Sequence, residues 1–219
     1  MEGGRPGDDE PRLLRGWVEG GLRAEFPALA LRYVVAPGGA RRSPRAVKDR
    51  LRDLAGRMGG AQAVNLRHQP IPWAYRVFYR HIGLDPDVQR TPAEELALER
   101  MRRGGFASAG LPADALAIAT VEVGVALRAF DADRVEGRPG IRPSLPGEAL
   151  AGRPGELPAG TLVIADEREP LGLLFGATAT SCEVTRSTTA TLLCAIQVSG
   201  VPDIAVEEAL WLATGALRA

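Results

Sequence analysis

The stretch GVALRAFDADRVEG, residues 124–137, stands where the sequence changes from helical to strand-like patterns. Before it, apolar residues recur mostly at every third or fourth position, as on one face of a helix. After it come short segments rich in Val, Ile, Leu and Thr, divided by Pro-Gly turns. The stretch itself predicts the end of an apolar helix turning into an acidic corner. We therefore predict a mixed α+β fold, with one central sheet flanked by helices.

The individual elements follow from the same periodicities and from the residues that begin and end them. Residues 1–11 are Gly, Pro and acidic residues, and we expect a disordered tail followed by a single domain over 12–219. The pattern predicts helices over 12–26, 46–58, 72–83, 92–103, 113–127 and from Asp203 onward, and strands over 29–36, 140–144, 160–167, 170–180 and 182–198.

Composition narrows the class of protein. The chain has 27 Lys and Arg against 27 Asp and Glu, yet residues 1–110 carry 19 positive against 13 negative side chains and residues 111–219 carry 8 against 14. This asymmetry can orient an anionic partner on the first half, but it lacks the strong basic excess of a DNA-binding domain, and DNA is not expected as a partner. Arginine dominates the positive charge, which fits phosphate recognition but is more readily explained by a GC-rich genome.

Several kinds of site and location are not expected. No apolar run approaches the roughly 18 residues of a membrane span, and the first residues lack an apolar leader, so a cytoplasmic location is expected. His68 and His81 lie outside metal-ligand spacing, and Cys182 and Cys194 are typical of small core residues. Neither a metal nor a cofactor is predicted. Nucleotide-binding glycine motifs and the nucleophile-elbow motif are absent from the sequence.

Two patterns can carry polar chemistry. Asp131 and Asp133 are spaced for acid/base work by paired carboxylates, although Asp in such a corner is also typical of turns and caps. The segment TRSTTATLLC, residues 185–194, places hydroxyls on a predicted strand, where they can line a pocket. Threonine is equally a good strand former, so both interpretations remain open.

Several segments together resemble one family. GVALRAFDADRVEG is similar to the pattern Gly-Gln-Pro-x-His-Ala-Phe-Asp-x-Asp-x-x-Glu-Gly in the B3/B4 editing module of the phenylalanyl-tRNA synthetase β subunit. YRVFYRHIGLDP, TPAEELALERMRRGG and Leu111-Pro112 resemble its stand-alone members, in the same order. The resemblance covers Trp73 to the last helix. It implies a mixed fold whose pocket accepts the 3′ end of a mischarged tRNA and hydrolyses the wrong aminoacyl ester, because binding alone discriminates poorly between similar side chains.

The resemblance also implies which positions form the pocket. Arg128 stands where the family has a pocket histidine, and Cys194 where it has a glutamate. Arginine stays protonated and is no general base, but it can bind a carboxylate or phosphate or stabilise an oxyanion. The full set of expected pocket residues is Arg128, Asp131, Thr178, Thr185, Thr188 and Cys194, and the expected RNA contacts are Arg76, Arg80, Arg102 and Arg103.

The resemblance, together with the replacements at Arg128 and Cys194, leaves two candidate functions. The first is an aminoacyl-tRNA-binding protein, with trans-editing as its activity if the chemistry survives. The second is a non-catalytic protein that holds a small anionic ligand, such as an amino acid derivative, through Arg128. Whether the protein is an enzyme is left open, since both polar groups of the family's pocket are replaced.

Overall fold

This computed structural model describes residues 12–219. Within them lie seven α-helices and eight strands. The predicted tail over 1–11 lies outside the described residues. The helices are α1 (Gly20–Glu25), α2 (Arg45–Arg57), α3 (Gly60–Asn65), α4 (Pro70–His81), α5 (Pro92–Arg103), α6 (Leu111–Val123) and α7 (Asp203–Arg218). The strands are β1 (Leu14–Arg15), β2 (Trp17–Val18), β3 (Ala30–Pro37), β4 (Ala126–Asp131), β5 (Gly140–Pro143), β6 (Leu162–Ala165), β7 (Pro170–Leu173) and β8 (Ala190–Gln197). The predicted mixed α+β class is confirmed.

The strands form two sheets, so the prediction of one central sheet was wrong. The first sheet has the order β1-β3-β8-β4 and is antiparallel throughout, and the second has the order β2-β5-β6-β7. Because β8 pairs along its length with β3 on one side and β4 on the other, both of its edges are used. The short strands β5, β6 and β7 therefore pair with one another instead.

Each face of the first sheet is covered by a different layer. Arg32 and Gln197 share one face, and both reach Asp203 at the start of α7, at 3.8 Å and 2.5 Å. Helix α7 therefore packs on this face, with α6 against α7 and β4. Arg128 and Phe130 alternate onto the other face. There Arg128 touches Gly172 of β7, which places the second sheet on that side.

The quoted stretch contains a strand where a helix end was predicted. Helix α6 ends at Val123, and Gly124 follows in the left-handed conformation with φ of +85°. Glycine adopts this conformation without a Cβ penalty, so it ends the helix and redirects the chain into β4. The periodicity of 113–127 did not show this, because a fully buried strand is as continuously apolar as a buried helix.

Two further predictions were corrected in detail. Residues 12–26 form β1, β2 and only the short helix α1, since pairing with β3 and β5 outweighs an apolar spacing interrupted by glycines. Residues 183–189 form a turn before β8. The Thr188 hydroxyl accepts from the backbone N–H of Thr185 at 2.9 Å, a local bond that competes with strand pairing.

Tyr75 ties helix α4 to the first sheet. Its buried hydroxyl donates to the carbonyl of Ile196 in β8 at 2.5 Å and accepts from the N–H of Ala126 in β4 at 3.0 Å. These two backbone groups face each other across the β4–β8 pair. One side chain thus satisfies a donor and an acceptor inside the core.

We expect Tyr75→Phe to lower the free energy of unfolding by about 1–3 kcal/mol, because both backbone groups lose their buried partner. Urea denaturation followed by circular dichroism measures this. Tyr33→Phe is the matched control, since within 12–219 its hydroxyl has no hydrogen bond, and its effect should be small. Equal effects of the two substitutions would contradict this role for Tyr75.

Candidate functional site

A row of three residues crosses the first sheet at the candidate site. Tyr33 of β3 lies opposite Cys194 of β8, which lies opposite Arg128 of β4. Directly opposed residues share a face, so all three side chains point toward the second sheet. The strand register therefore brings Arg128 and Cys194 together, as the resemblance predicts.

The guanidinium of Arg128 lies under the turn that follows β7. Its Nη2 donates to the Thr178 hydroxyl at 2.8 Å, and its Nη1 donates to the carbonyl of Gly176. The guanidinium carbon lies 5.7 Å from the ring centroid of Phe130. Arg128 and Thr178, both predicted to line the pocket, are thus in direct contact.

No carboxylate within residues 12–219 forms an ion pair with Arg128. Burial lowers the pKa of its guanidinium to about 10, so the group is still positively charged at neutral pH. A desolvated charge is normally paired with an opposite one, whereas two neutral oxygens and the ring of Phe130 contact this one. The site therefore presents an uncompensated cation with donors in a planar fork, an arrangement that suits a carboxylate, a phosphate or an oxyanion.

Cys194 is fully buried beside this guanidinium. Burial raises the pKa of its thiol well above the ordinary range, and the nearby Arg128 charge opposes this shift only in part. The thiol is therefore protonated at neutral pH. Since the thiolate is the nucleophile, Cys194 acts here as a packed neutral group.

Asp131, Thr185 and Thr188 form a second group on the other side of β4. The Thr188 hydroxyl donates to Asp131 at 2.6 Å, and the Thr185 and Thr188 hydroxyls lie 3.5 Å apart. Asp131 is three residues from Arg128 along the strand, so the two side chains alternate onto opposite faces. The six predicted pocket residues therefore lie in two groups rather than in one pocket.

The carboxylates of the acidic corner are engaged in turn bonds. Asp131 accepts from the N–H of Asp133 at 3.1 Å and caps the short turn 132–134. Asp133 accepts from the N–H and the hydroxyl of Thr189, and these bonds lower the pKa of its carboxyl. The geometry favours the turn interpretation over paired acid/base catalysis, because both carboxylates hold structural partners.

The four arginines expected to contact RNA lie on α4 and α5, and they differ in exposure. Arg76 is buried and binds Glu94 and Asp87, each at 2.7 Å, so its expected place at the surface was wrong. An i,i+4 pattern alone does not reveal such acidic partners. The other three are exposed, and their contact with RNA stays a prediction; they are Arg80, Arg102 and Arg103.

Three residues that the sequence did not single out shape the site. Tyr79 is buried near Arg128 and packs on Phe175, with ring centroids 4.7 Å apart. Gly172 is in close contact with the turn: an added Cβ would lie 2.9 Å from the carbonyl oxygen of Ala177 and 3.1 Å from Nη2 of Arg128. Only the spacing of Gly172 and Gly176 within PLGLLFGATAT hinted at a backbone that folds back on itself.

The fold and the site define a mixed α+β domain with an uncompensated cation between its sheets, and the comparisons with known proteins name its family. Residues 74–205 match the family model of the B3/4 domain. This match covers more than half of the chain. The chain belongs to the B3/4 domain family, which confirms the predicted resemblance.

The curated relatives are all phenylalanine–tRNA ligase beta subunits. That of Streptomyces avermitilis is 35% identical over 112 residues, which is 49% of this chain and 13% of the relative. That of Xanthomonas oryzae pv. oryzae is 36% identical over 111 residues, 48% of this chain and 14% of the relative. That of Yersinia pestis is 37% identical over 83 residues, 36% of this chain and 10% of the relative. The chain thus matches only a small part of the length of these relatives.

Two negative findings concern the described part of the chain. None of its helices is long and apolar enough to cross a membrane. Its His, Cys, Asp and Glu side chains form no group of three that would hold a metal ion.

We expect both cysteines to resist alkylation in the native protein, since each is fully buried and burial raises each thiol pKa. Iodoacetamide labelling followed by mass spectrometry should show slow modification at neutral pH and complete modification after denaturation. A Glu208→Cys variant, whose new thiol is exposed on α7, is the control for reagent activity. Fast labelling of native Cys194 would show that its thiol is accessible.

We expect Gly172→Ala to lower the free energy of unfolding by about 1–3 kcal/mol, since the added methyl presses on the Ala177 carbonyl and the Arg128 guanidinium. Thermal denaturation measures the loss. Gly215→Ala is the matched control, because this helical glycine has open space around it and alanine is the better helix former. A Gly172→Ala variant as stable as the wild type would mean that the turn moves freely.

Proposed function

We propose that this protein binds the aminoacylated 3′ end of a tRNA and that Arg128 contacts an oxygen of the aminoacyl ester. The observation that carries the proposal is the desolvated guanidinium of half-buried Arg128, which has no carboxylate partner within residues 12–219. Membership of the B3/4 domain family supports it, as do relatives named phenylalanine–tRNA ligase beta subunit. With tRNA as the partner, the proposed place of action is the cytoplasm.

The groups around Arg128 support binding of the ester more strongly than its hydrolysis. Ester hydrolysis needs a positioned and activated water as well as stabilisation of the oxyanion. Arg128 supplies the second requirement. Its neighbour Cys194 is a protonated thiol, and the carboxylate of Asp131 points to the opposite side of the strand. Trans-editing would therefore depend on Arg128 for oxyanion stabilisation and on the substrate or solvent for the base.

A second candidate function rests on the same guanidinium. Arginine and carboxylate form paired, charge-assisted hydrogen bonds, so a free amino acid or its derivative is a suitable partner without any RNA. Two neutral oxygens, those of Gly176 and Thr178, now occupy donors that a carboxylate would take. This candidate predicts saturable binding of the free ligand and no dependence on tRNA.

We expect the protein to bind one aminoacyl-tRNA more tightly than the same uncharged tRNA, and Arg128→Ala to remove most of this preference. Losing a charge-assisted hydrogen bond of about 1.5–3 kcal/mol weakens binding roughly 10- to 100-fold. A panel of charged and uncharged tRNAs, titrated by filter binding with free amino acids alongside, measures this. Deacylation is followed in the same samples.

Two variants serve as controls for this titration. Arg128→Lys keeps the charge but not the planar fork, so it should retain part of the preference. Arg100→Ala removes another half-buried arginine, one that donates to the carbonyl of Ala55 away from the site, and should leave the preference unchanged. Equal affinity of the wild type for charged and uncharged tRNA would overturn the proposal. Arg128-dependent binding of free amino acids alone would establish the second candidate.

A further inference from the structure

A basic cleft of about 620 Å³ lies between the segment before α2, the start of α6 and the turn before β8. Its lining includes Arg41, Arg42, Lys48 and Arg186 and contains neither Asp nor Glu. Arg41, Arg42 and Lys48 lie within residues 41–48, and the fold brings Arg186 to them from the turn before β8. Arg186 even comes from the more acidic half of the chain.

The cations of this basic cleft are uncompensated, in contrast to their neighbours on α2. Elsewhere on that helix, Arg45 and Arg52 pair with Asp49, and Arg50 and Arg57 pair with Glu122. Within residues 12–219, none of the four cleft cations has a carboxylate at ion-pair distance. The cleft therefore concentrates positive charge on a chain whose total charge is zero.

The buried carboxylate of Asp114 lies near the cleft and already accepts three hydrogen bonds. Asp114 accepts from the hydroxyls of Ser43 and Ser108, each at 2.5 Å, and from the N–H of Ala109 at 2.8 Å. Ser108 is exposed in the cleft lining, and its proton is committed to Asp114. Its oxygen remains an acceptor, which matches a donor such as a ribose 2′-hydroxyl.

The cleft adjoins the second group of predicted pocket residues. The N–H of Ala40 donates to the carbonyl of Thr185 at 2.8 Å, and Arg186 is the next residue of the same turn. The Thr188 hydroxyl in that turn reaches Asp131 at the end of β4. The strand that carries Arg128 therefore ends beside the cleft.

We propose that the basic cleft binds the phosphodiester backbone of RNA. Phosphates supply the negative charge that the four cations lack, arginine donors fit phosphate oxygens, and the Ser108 oxygen can accept from ribose. The proposal rests on the proposed function, for which it locates the RNA strand near Asp131. It assigns RNA binding to residues other than the exposed arginines of α4 and α5.

The test is a salt-dependent titration of uncharged tRNA with two triple variants. R42A/K48A/R186A removes three cleft cations; Arg41 is kept because it donates to the carbonyl of Leu217 in α7. R80A/R102A/R103A removes as many exposed arginines from α4 and α5. The cleft variant should lose at least about tenfold in affinity, and the slope of log affinity against log salt should fall by about 2, as expected for three lost contacts to single-stranded RNA. The second variant should change neither.

Further readouts make the outcomes distinct. Both variants should keep the wild-type thermal midpoint, because the altered side chains are exposed. Single-stranded RNA should bind more tightly than DNA of the same sequence. The proposal is overturned if the wild type binds no uncharged tRNA, if DNA binds equally well, or if both triple variants lose the same affinity.

The same data separate this proposal from the proposed function. Loss of cleft cations should weaken charged and uncharged tRNA alike and leave their ratio intact, whereas Arg128→Ala should change the ratio. If the cleft variant binds tRNA more weakly but the wild type shows no preference for charged tRNA, RNA binding by the cleft is supported and the function assigned to Arg128 is overturned. If the wild type prefers charged tRNA and the cleft variant binds tRNA as tightly as the wild type, the function assigned to Arg128 is supported and RNA binding by the cleft is overturned.

Discussion

The pairing of β8 on both of its edges is the constraint on which the rest of the structure depends. With β3 on one side and β4 on the other, the strand is buried on both faces and has no edge left for β5, β6 or β7. Those strands form the second sheet, which covers one face, while α7 covers the other. The same register sets Arg128 against Cys194, so the arrangement that closes the core also positions the candidate site.

The placement of Arg128 between two apolar layers gives the site its chemical character. Desolvation strengthens the field of a charge that no carboxylate within residues 12–219 neutralises, and a carbonyl oxygen, a hydroxyl oxygen and the ring of Phe130 are its partners. At the end of the same strand, by contrast, Asp131 is held in a network of hydroxyls. One strand thus carries a cation on one face and an anion on the other, with different partners for each.

Local signals in the sequence predicted much of the fold. The capping box at Thr91 placed one helix to the residue, because caps act within one turn of the chain. Ser43-Pro44 placed the start of α2 closely as well, but Ser43 does not cap this helix: its hydroxyl donates to Asp114, and the helix begins after Pro44. Segments whose conformation depends on distant partners were harder to predict from the sequence. Within 12–26, residues 14–15 and 17–18 became strands through pairing with β3 and β5, and 126–131 became β4 because β8 lies beside it.

The candidate site shows the same difference between local sequence signals and long-range contacts. The family pattern singled out Arg128 and Cys194, which lie opposite each other in the β4–β8 pair. Strand alternation, which depends on knowing that 126–131 is a strand, separates Arg128 from Asp131. Arg76 showed the helical spacing of a surface residue, yet Asp87 and Glu94 reach it through the tertiary fold. Burial and ion pairing of this kind follow from three-dimensional contacts that spacing along the chain does not contain.

The position of β8 in the sequence has a consequence for synthesis. Residues 30–37 and 126–131 both pair with residues 190–197. The first sheet therefore cannot form completely while the ribosome is still making the middle of the chain. Until then β3 has one unpaired edge and β4 has two, and unpaired edges of nascent chains are sites of aggregation. Contacts over such sequence separations also make folding slow. The strand that completes the core is thus also the last of the eight strands to leave the ribosome.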